Sequence, residues 1–275
     1  MWARRLLAVA AIAAGSYGLV VGTMFSQQRS MFYFPTGDIP TPGAAGVPEM
    51  TEVRLATTDG LVLRAWWRPP GMGQPTLVHF HGNAGNIGHR ARRMRPFLDL
   101  GLGVLQVEYR GYGGNPGMPT EAGLYADGRA ALAFLADAGI PPETWVIHGE
   151  SLGTGVAVLL AFEQATATPS RPVRAVILEA PFDSLVKVAE AKFPWLPVNW
   201  LLKDRYESVE RIGAIRTPLL IVQGDADDVI PITHGRRLFE AAAEPKRAVW
   251  LVGAGHNDVF ESGGAEAVLS FLRSS

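Results

Sequence analysis

From residue 51 onward the chain alternates short apolar runs with longer amphipathic stretches, and that alternation leaves few architectures open. Thr76–His81, Gly103–Tyr109, Thr144–His148, Val173–Glu179, Pro218–Gln223 and Arg247–Val252 are near-continuous apolar runs, each stopped by Gly, Pro or polar residues. Runs of this kind suit strands buried on both faces. Between them, Ile87–Leu100, Glu121–Ala138, Leu152–Gln164, Thr233–Ala243 and Asp258–Leu272 carry helical spacing. Strands separated by helices build a mostly parallel sheet covered on both faces, an α/β fold. Ahead of them, Glu52–Thr57 and Leu61–Arg68 flank the turn Thr58-Asp59-Gly60 and predict an antiparallel pair. The sheet is then mixed, with about eight strands. A length of 275 residues, 48% of them hydrophobic, fills one such core.

The N-terminal part follows another pattern. Arg4 and Arg5 precede Leu6–Phe25, in which no residue is charged. Twenty helical residues span about 30 Å, roughly the hydrocarbon thickness of a bilayer. A basic pair before an apolar run also fits a secretory signal. The run is long for one, and no clean small-x-small cleavage site follows it before Gln27-Gln28-Arg29. Residues 1–35 are therefore expected to be an uncleaved, single-pass anchor in the cell membrane with its juxtamembrane segment. Two arginines lie before the span and Arg29 after it, a bias that puts the remainder on the extracytoplasmic side. Residues 36–50, TGDIPTPGAAGVPEM, read as a linker, and residues 51–275 as one domain. Within it, residues 182–212 interrupt the alternation and read as a small cap. Its Phe193, Trp195 and Trp200 either line an apolar pocket or pack the cap onto the domain.

Several functions are excluded early. A net charge of −1 provides no footprint for nucleic acid. The absence of cysteine rules out disulfides, thiol nucleophiles and thiolate metal sites. GYGGNPG has Pro116 where a dinucleotide loop needs its third glycine. DADD lacks the glycine and the distal glutamate of a calcium loop. No cofactor or metal is expected.

In a parallel sheet the site lies beyond the C-terminal strand ends, so the residues there decide the chemistry. WVIHGESLGTG, residues 145–155, ends a strand in Ser151 with glycine two positions away on either side. Small neighbours allow a tight strand-to-helix turn that exposes one hydroxyl, and the helix N-terminus beside it suits a developing oxyanion. A serine nucleophile needs a base and an orienting acid. His256, in GAGHND after the last strand, is the candidate base. The other histidines, His79, His81, His89, His148 and His234, are expected to be structural or solvated. QGDADDVIP offers Asp225, Asp227 and Asp228 as the acid, and spacing does not choose among them. Asp183, before Ser184 and an apolar helical run, reads as a helix N-cap instead. HGNAGN after Thr76–His81 supplies a glycine-rich turn, so the N–H groups of Asn83 and Leu152 are the expected oxyanion donors. Tyr109 and Arg110 are expected beside the pocket, and Glu150 next to the nucleophile is expected to be structural or electrostatic.

HGNAGN, YRGYGGNPG, GESLGTG, GDADDVIP and GAGHNDV, in this order, resemble the α/β-hydrolase superfamily. More narrowly they resemble its membrane-anchored branch, which includes protein depalmitoylases and lysophospholipid lipases. The likeness runs from about Gln28 to the C-terminus and includes RSMFYFPTGDIP. It implies the α/β-hydrolase fold, Ser151 as nucleophile, His256 as base, and Asp227 as acid through the pattern G-x-x-D-x-x-x-P. The triad is expected to hydrolyse carboxylic esters or thioesters through an acyl-enzyme. The resemblance supplies no substrate; it is the apolar N-terminal span and the apolar cap that tilt the expectation toward acyl or lipid-like small molecules. Peptide or amide hydrolysis on the same triad, and a catalytically silent binding protein, are the alternatives. Substrate identity and oligomeric state are left open.

Overall fold

Eight strands make one sheet: β1 Thr51–Ala56, β2 Val62–Arg68, β3 Thr76–Phe80, β4 Gly103–Val107, β5 Trp145–Glu150, β6 Ala175–Glu179, β7 Leu219–Gly224 and β8 Lys246–Leu251. The structure is a computed structural model and describes residues 1–274. The strand order is β8-β7-β6-β5-β3-β4-β2-β1. β2 runs antiparallel to both β1 and β4, and the remaining pairs are parallel. The chain steps outward from β3 to β4 and then returns to the other side of β3 as β5. That reversal opens a crevice beyond the C-terminal ends of β3 and β5, where an open α/β sheet places its ligands.

Alternate side chains of each buried strand serve two cores, as a period of two requires. Val78, Phe80, Leu105 and Ile147 face helices α3 (Glu121–Asp137) and α4 (Leu152–Thr166) through Leu124, Leu135, Val156 and Leu160. Leu77, Val104, Val146 and Ile177 face α2 (Ile87–Asp99) and α9 (Ala265–Ser274) through Met94, Phe97, Val268 and Phe271. The expected final helix, residues 258–272, is broken: a short π-helical turn at Phe260–Gly264 contains Gly263 at φ 115°, and the α-helix starts only after it. Asn86 and Thr120 cap α2 and α3 by accepting the amides of His89 and Gly123. The cap comprises α5 Leu185–Lys192, α6 Val198–Leu201 and α7 Val209–Ile212, ahead of α8 Ile232–Ala241. The N-cap of α5 is Ser184, whose Oγ accepts the Lys187 amide, and not Asp183 as the sequence suggested.

Helix α1, Trp2–Gln27, has no buried residue and is long and apolar enough to cross a membrane by length and composition. It docks only through its later turns. Tyr17 Oη donates to the Trp195 carbonyl (2.9 Å), and Gln28, just beyond the helix, exchanges bonds with Leu201 O (3.2 Å) and Lys203 N (2.8 Å). Arg29 then pairs with Asp204 at 2.8 and 3.1 Å.

Residues 36–50 are not a linker. Ile39, Val47 and Met50 are buried in the same core as Ile87, Met94 and Phe97. Thr36 accepts from Gly113 N (3.1 Å) and Asn86 Nδ2 (3.0 Å), and Glu49 pairs with Arg95. Proline and glycine here shape turns that lay three apolar side chains against α2. Tyr33 is buried as well, its hydroxyl 3.0 Å from that of Tyr206, and Phe34–Pro35 pairs in parallel with Ala84–Gly85. The ordered body therefore begins near Arg29 rather than at residue 51.

Candidate active site

Ser151 sits between the last residue of β5 and the first of α4 with φ 48° and ψ −113°. A residue with a Cβ pays roughly 1–3 kcal/mol in that region, so its surroundings must hold it there. Its amide donates to Glu179 O on β6 (2.9 Å), and Thr154 returns two bonds to the Ser151 carbonyl. The flanking glycines are a steric requirement. A Cβ on Gly149 would lie 2.5 Å from the Gly153 carbonyl oxygen, and one on Gly153 would run into the carbonyl of Phe80 on β3. The short side of this turn is thus wedged against the neighbouring strand, and the serine hydroxyl is left outside.

His256 reaches that hydroxyl from the loop after β8. Its Nε2 is 2.9 Å from Ser151 Oγ, and its Nδ1 is 2.7 Å from Asp227 Oδ2. Asp227 is buried, and its other oxygen accepts the amides of Val229 (3.0 Å) and Ile230 (2.7 Å). With a carboxylate on one side, the ring carries its proton on Nδ1 and turns the Nε2 lone pair to the serine, a tautomer assigned from the network. Of the three aspartates in this loop, Asp227 is the one within hydrogen-bond distance of His256. Asp225 and Asp228 are exposed, and Asp225 accepts the Gly253 amide (2.7 Å) instead.

A cavity of about 340 Å³ opens at Ser151, with Asn83 and Leu152 in its lining and Phe182, Leu185 and Phe193 among its apolar residues. Asn83 is held from three directions. Its side chain donates to Phe32 O (2.8 Å), while its carbonyl accepts from Phe34 N (2.9 Å) and Tyr112 Oη (2.7 Å). Four other residues expected at the pocket lie elsewhere. Tyr109 is fully buried with its hydroxyl on His81 O (3.1 Å). Arg110 is drawn away by two carboxylates, Asp59 (2.6 Å) and buried Asp127 (2.8 Å). Trp195 stacks edge-on to Tyr17 outside the cavity, and Trp200 is 87% exposed.

No family model matches the chain. The uncharacterized protein MT2364 of Mycobacterium tuberculosis is 43% identical over 258 residues, which cover 92% of this chain and 89% of that one. Pyrococcus furiosus esterase Pf2001 shares the fold with a TM-score of 0.67 at 21% identity, over 88% of this chain and 98% of that one. Human α/β-hydrolase domain-containing protein 17B is 39% identical over 191 residues, 67% of this chain and 61% of that protein. The chain belongs to the α/β-hydrolase superfamily.

This α/β-hydrolase braces its elbow with a charge network whose connections the sequence did not disclose. Glu150, one residue before Ser151, accepts from Arg90 Nη2 (2.9 Å) and Arg93 Nη1 (2.6 Å) of α2. Arg90 also donates to Ala84 O (2.7 Å), so one guanidinium ties the elbow to the loop that carries Asn83. Burial alone would raise the Glu150 carboxyl, but the two guanidiniums override it and hold the group below the usual carboxylate range. Arg93 continues to Glu179 (2.6 Å), which accepts from His148 Nε2 at 2.6 Å. Burial pushes the imidazole of His79, 4.0 Å from Glu150, well below its ordinary value. The spacing of Arg90 and Arg93, one turn apart, was visible; their target sixty residues away was not. Another carboxylate–imidazole pair, Asp183–His234 at 2.6 Å, is completed by Arg237 (2.5 Å) and not by a hydroxyl. Asp183 resists burial through these donors and is held down at about 2. Among the described residues, no group of three or more His, Asp or Glu converges as a metal-ligand set.

Proposed function

We propose that this α/β-hydrolase is a membrane-anchored serine hydrolase that cleaves carboxylic esters or thioesters with an apolar acyl or lipid-like part. The observation that carries the reading is the hydrogen-bonded series Ser151–His256–Asp227 opening on an apolar cavity. His256 accepts the Ser151 proton as Oγ attacks the carbonyl carbon, and Asp227 steadies the imidazolium that results. The oxyanion takes the N–H groups of Asn83 and Leu152, a stabilisation worth roughly 10²–10³ in rate for each donor. The C–O or C–S bond then breaks, the leaving group departs with the proton from His256, and the acyl group stays on Ser151. Water, deprotonated by His256, releases the acid and restores the serine. The anchor is read as retained because Gln28 and Arg29, directly after α1, are bonded into the cap. The arginine bias favours an extracytoplasmic domain.

The test is labelling by a short fluorophosphonate, comparing the parent with Ser151→Ala and His256→Ala. Labelling of the parent alone, together with kcat/KM rising from acetyl to dodecanoyl esters, is the expected result. A folded parent that takes no label refutes the hydrolase reading and favours a binding protein, and an acetyl preference refutes the acyl-chain part.

A further inference from the structure

The cavity beside Ser151 is not enclosed by the α/β body and cap alone. Val21, Met24 and Phe25 of α1 also line it, and Gln28 and Arg29 close the same side. Positions 21, 24, 25 and 28 recur at the spacing of one helix face. On that face the apolar residues meet the cavity and Gln28 meets the cap, whereas residues 2–20 are exposed without exception. Lys203 of the cap lies over the Phe25 ring at 4.2 Å and fixes the seam further.

Depth makes this wall significant. If Leu6–Phe25 fills the hydrocarbon layer, Val21 to Phe25 covers its last four helical rises, about 6 Å. The wall then lies at the outer margin of the acyl layer, with Ser151 beyond it. Trp200 (87% exposed) projects from the cap beside Leu201, whose carbonyl Gln28 touches at this end of α1. Exposed tryptophans are favoured at the membrane–water boundary.

We infer that α1 is part of the acyl-binding wall as well as the anchor. The acyl chain of a membrane-resident ester or thioester passes from the leaflet into the cavity along Val21, Met24 and Phe25, without leaving an apolar environment. This rests on the hydrolase reading above. It makes those three side chains determinants of chain-length selectivity, and it makes the substrate a lipid-phase acyl compound rather than a water-soluble one.

The experiment uses the full chain in phosphatidylcholine vesicles and a long-chain fluorophosphonate with a diazirine at the far end of its alkyl tail. Once Ser151 is modified, irradiation should crosslink the tail to Val21–Phe25. A Ser151 adduct whose crosslinks avoid α1 overturns the inference and leaves the hydrolase reading standing. If even a short fluorophosphonate fails to modify Ser151, the hydrolase reading itself falls. Met24→Trp provides a second measurement, with short-probe labelling of Ser151 counting the folded enzyme in each sample. The dodecanoyl-to-acetyl ratio of kcat/KM should fall at least tenfold, and an unchanged ratio overturns the inference.

Discussion

Replacing Glu150 by glutamine removes one charge and leaves the shape. Arg90 then loses its carboxylate and keeps only the Ala84 carbonyl, while Arg93 keeps Glu179. Breaking a buried ion pair from one side costs roughly 3–5 kcal/mol. Glutamine still offers one acceptor and the site is 17% exposed, so the cost falls at or just below the bottom of that range, about 2–3 kcal/mol. For a body of this size each kcal/mol moves Tm by roughly 2–4 °C, which gives a fall of about 5–10 °C by thermal unfolding. Because Arg90 joins the elbow to the Asn83 loop, kcat should fall about tenfold with KM little changed, as expected for lost transition-state positioning. A cycle with Arg90→Gln should show coupling of about 1–2 kcal/mol. The pH dependence has a fixed sign. The folded carboxyl lies below its ordinary range, so its contribution is complete above about pH 4.3 and is lost as pH falls through the depressed folded value. The Tm gap between parent and variant should narrow on acidification. A variant that unfolds within 2 °C of the parent at about pH 7, or a gap that widens in acid, refutes the reasoning.

Three further outcomes follow from neighbouring contacts. Gly153→Ala should abolish fluorophosphonate labelling, because the new methyl meets the backbone of Phe80 and the elbow must move; labelling at the parental rate would contradict this. Asp183→Asn should cost about 1–3 kcal/mol in urea unfolding at pH 7 while Ser151 still labels. That cost should vanish between about pH 4 and 2, since the Asp183 carboxyl is held at about 2 and its stabilisation is lost as the pH falls through that value. Tyr33→Phe should cost about 1–2 kcal/mol by leaving the buried Tyr206 hydroxyl without its 3.0 Å partner, measured by the same unfolding.

The sheet was legible because buried strands and amphipathic helices write their periods directly into the chain: every expected strand falls within two residues of its place. Ser151 and His256 were legible because glycine spacing and strand-end loops mark them locally. What stayed hidden depends on partners distant in sequence. Nothing in TGDIPTPGAAGVPEM reveals that Ile39, Val47 and Met50 fit against α2, about fifty residues on. Arg110 looked like a site residue because its loop follows β4, yet Asp59 and Asp127 claim it from either side in sequence. Asp227 was separable from its neighbours only once the strand positions fixed which carboxylate met the imidazole.

The join between helix α1 and the α/β body has almost no slack. Arg29 is bonded to Asp204 and Tyr33 to Tyr206, and four residues cannot reach beyond about 14 Å even if fully drawn out. Under the proposal that α1 sits in a bilayer, Ser151 is held at a constant height and heading above that surface, like a tool on a rigid mount. On the proposed membrane-anchored reading, encounter with an ester substrate is a search in two dimensions, governed by its mole fraction in that membrane and not by its bulk concentration. The same proposal puts a facing membrane, or a substrate carried many nanometres above the surface, out of reach.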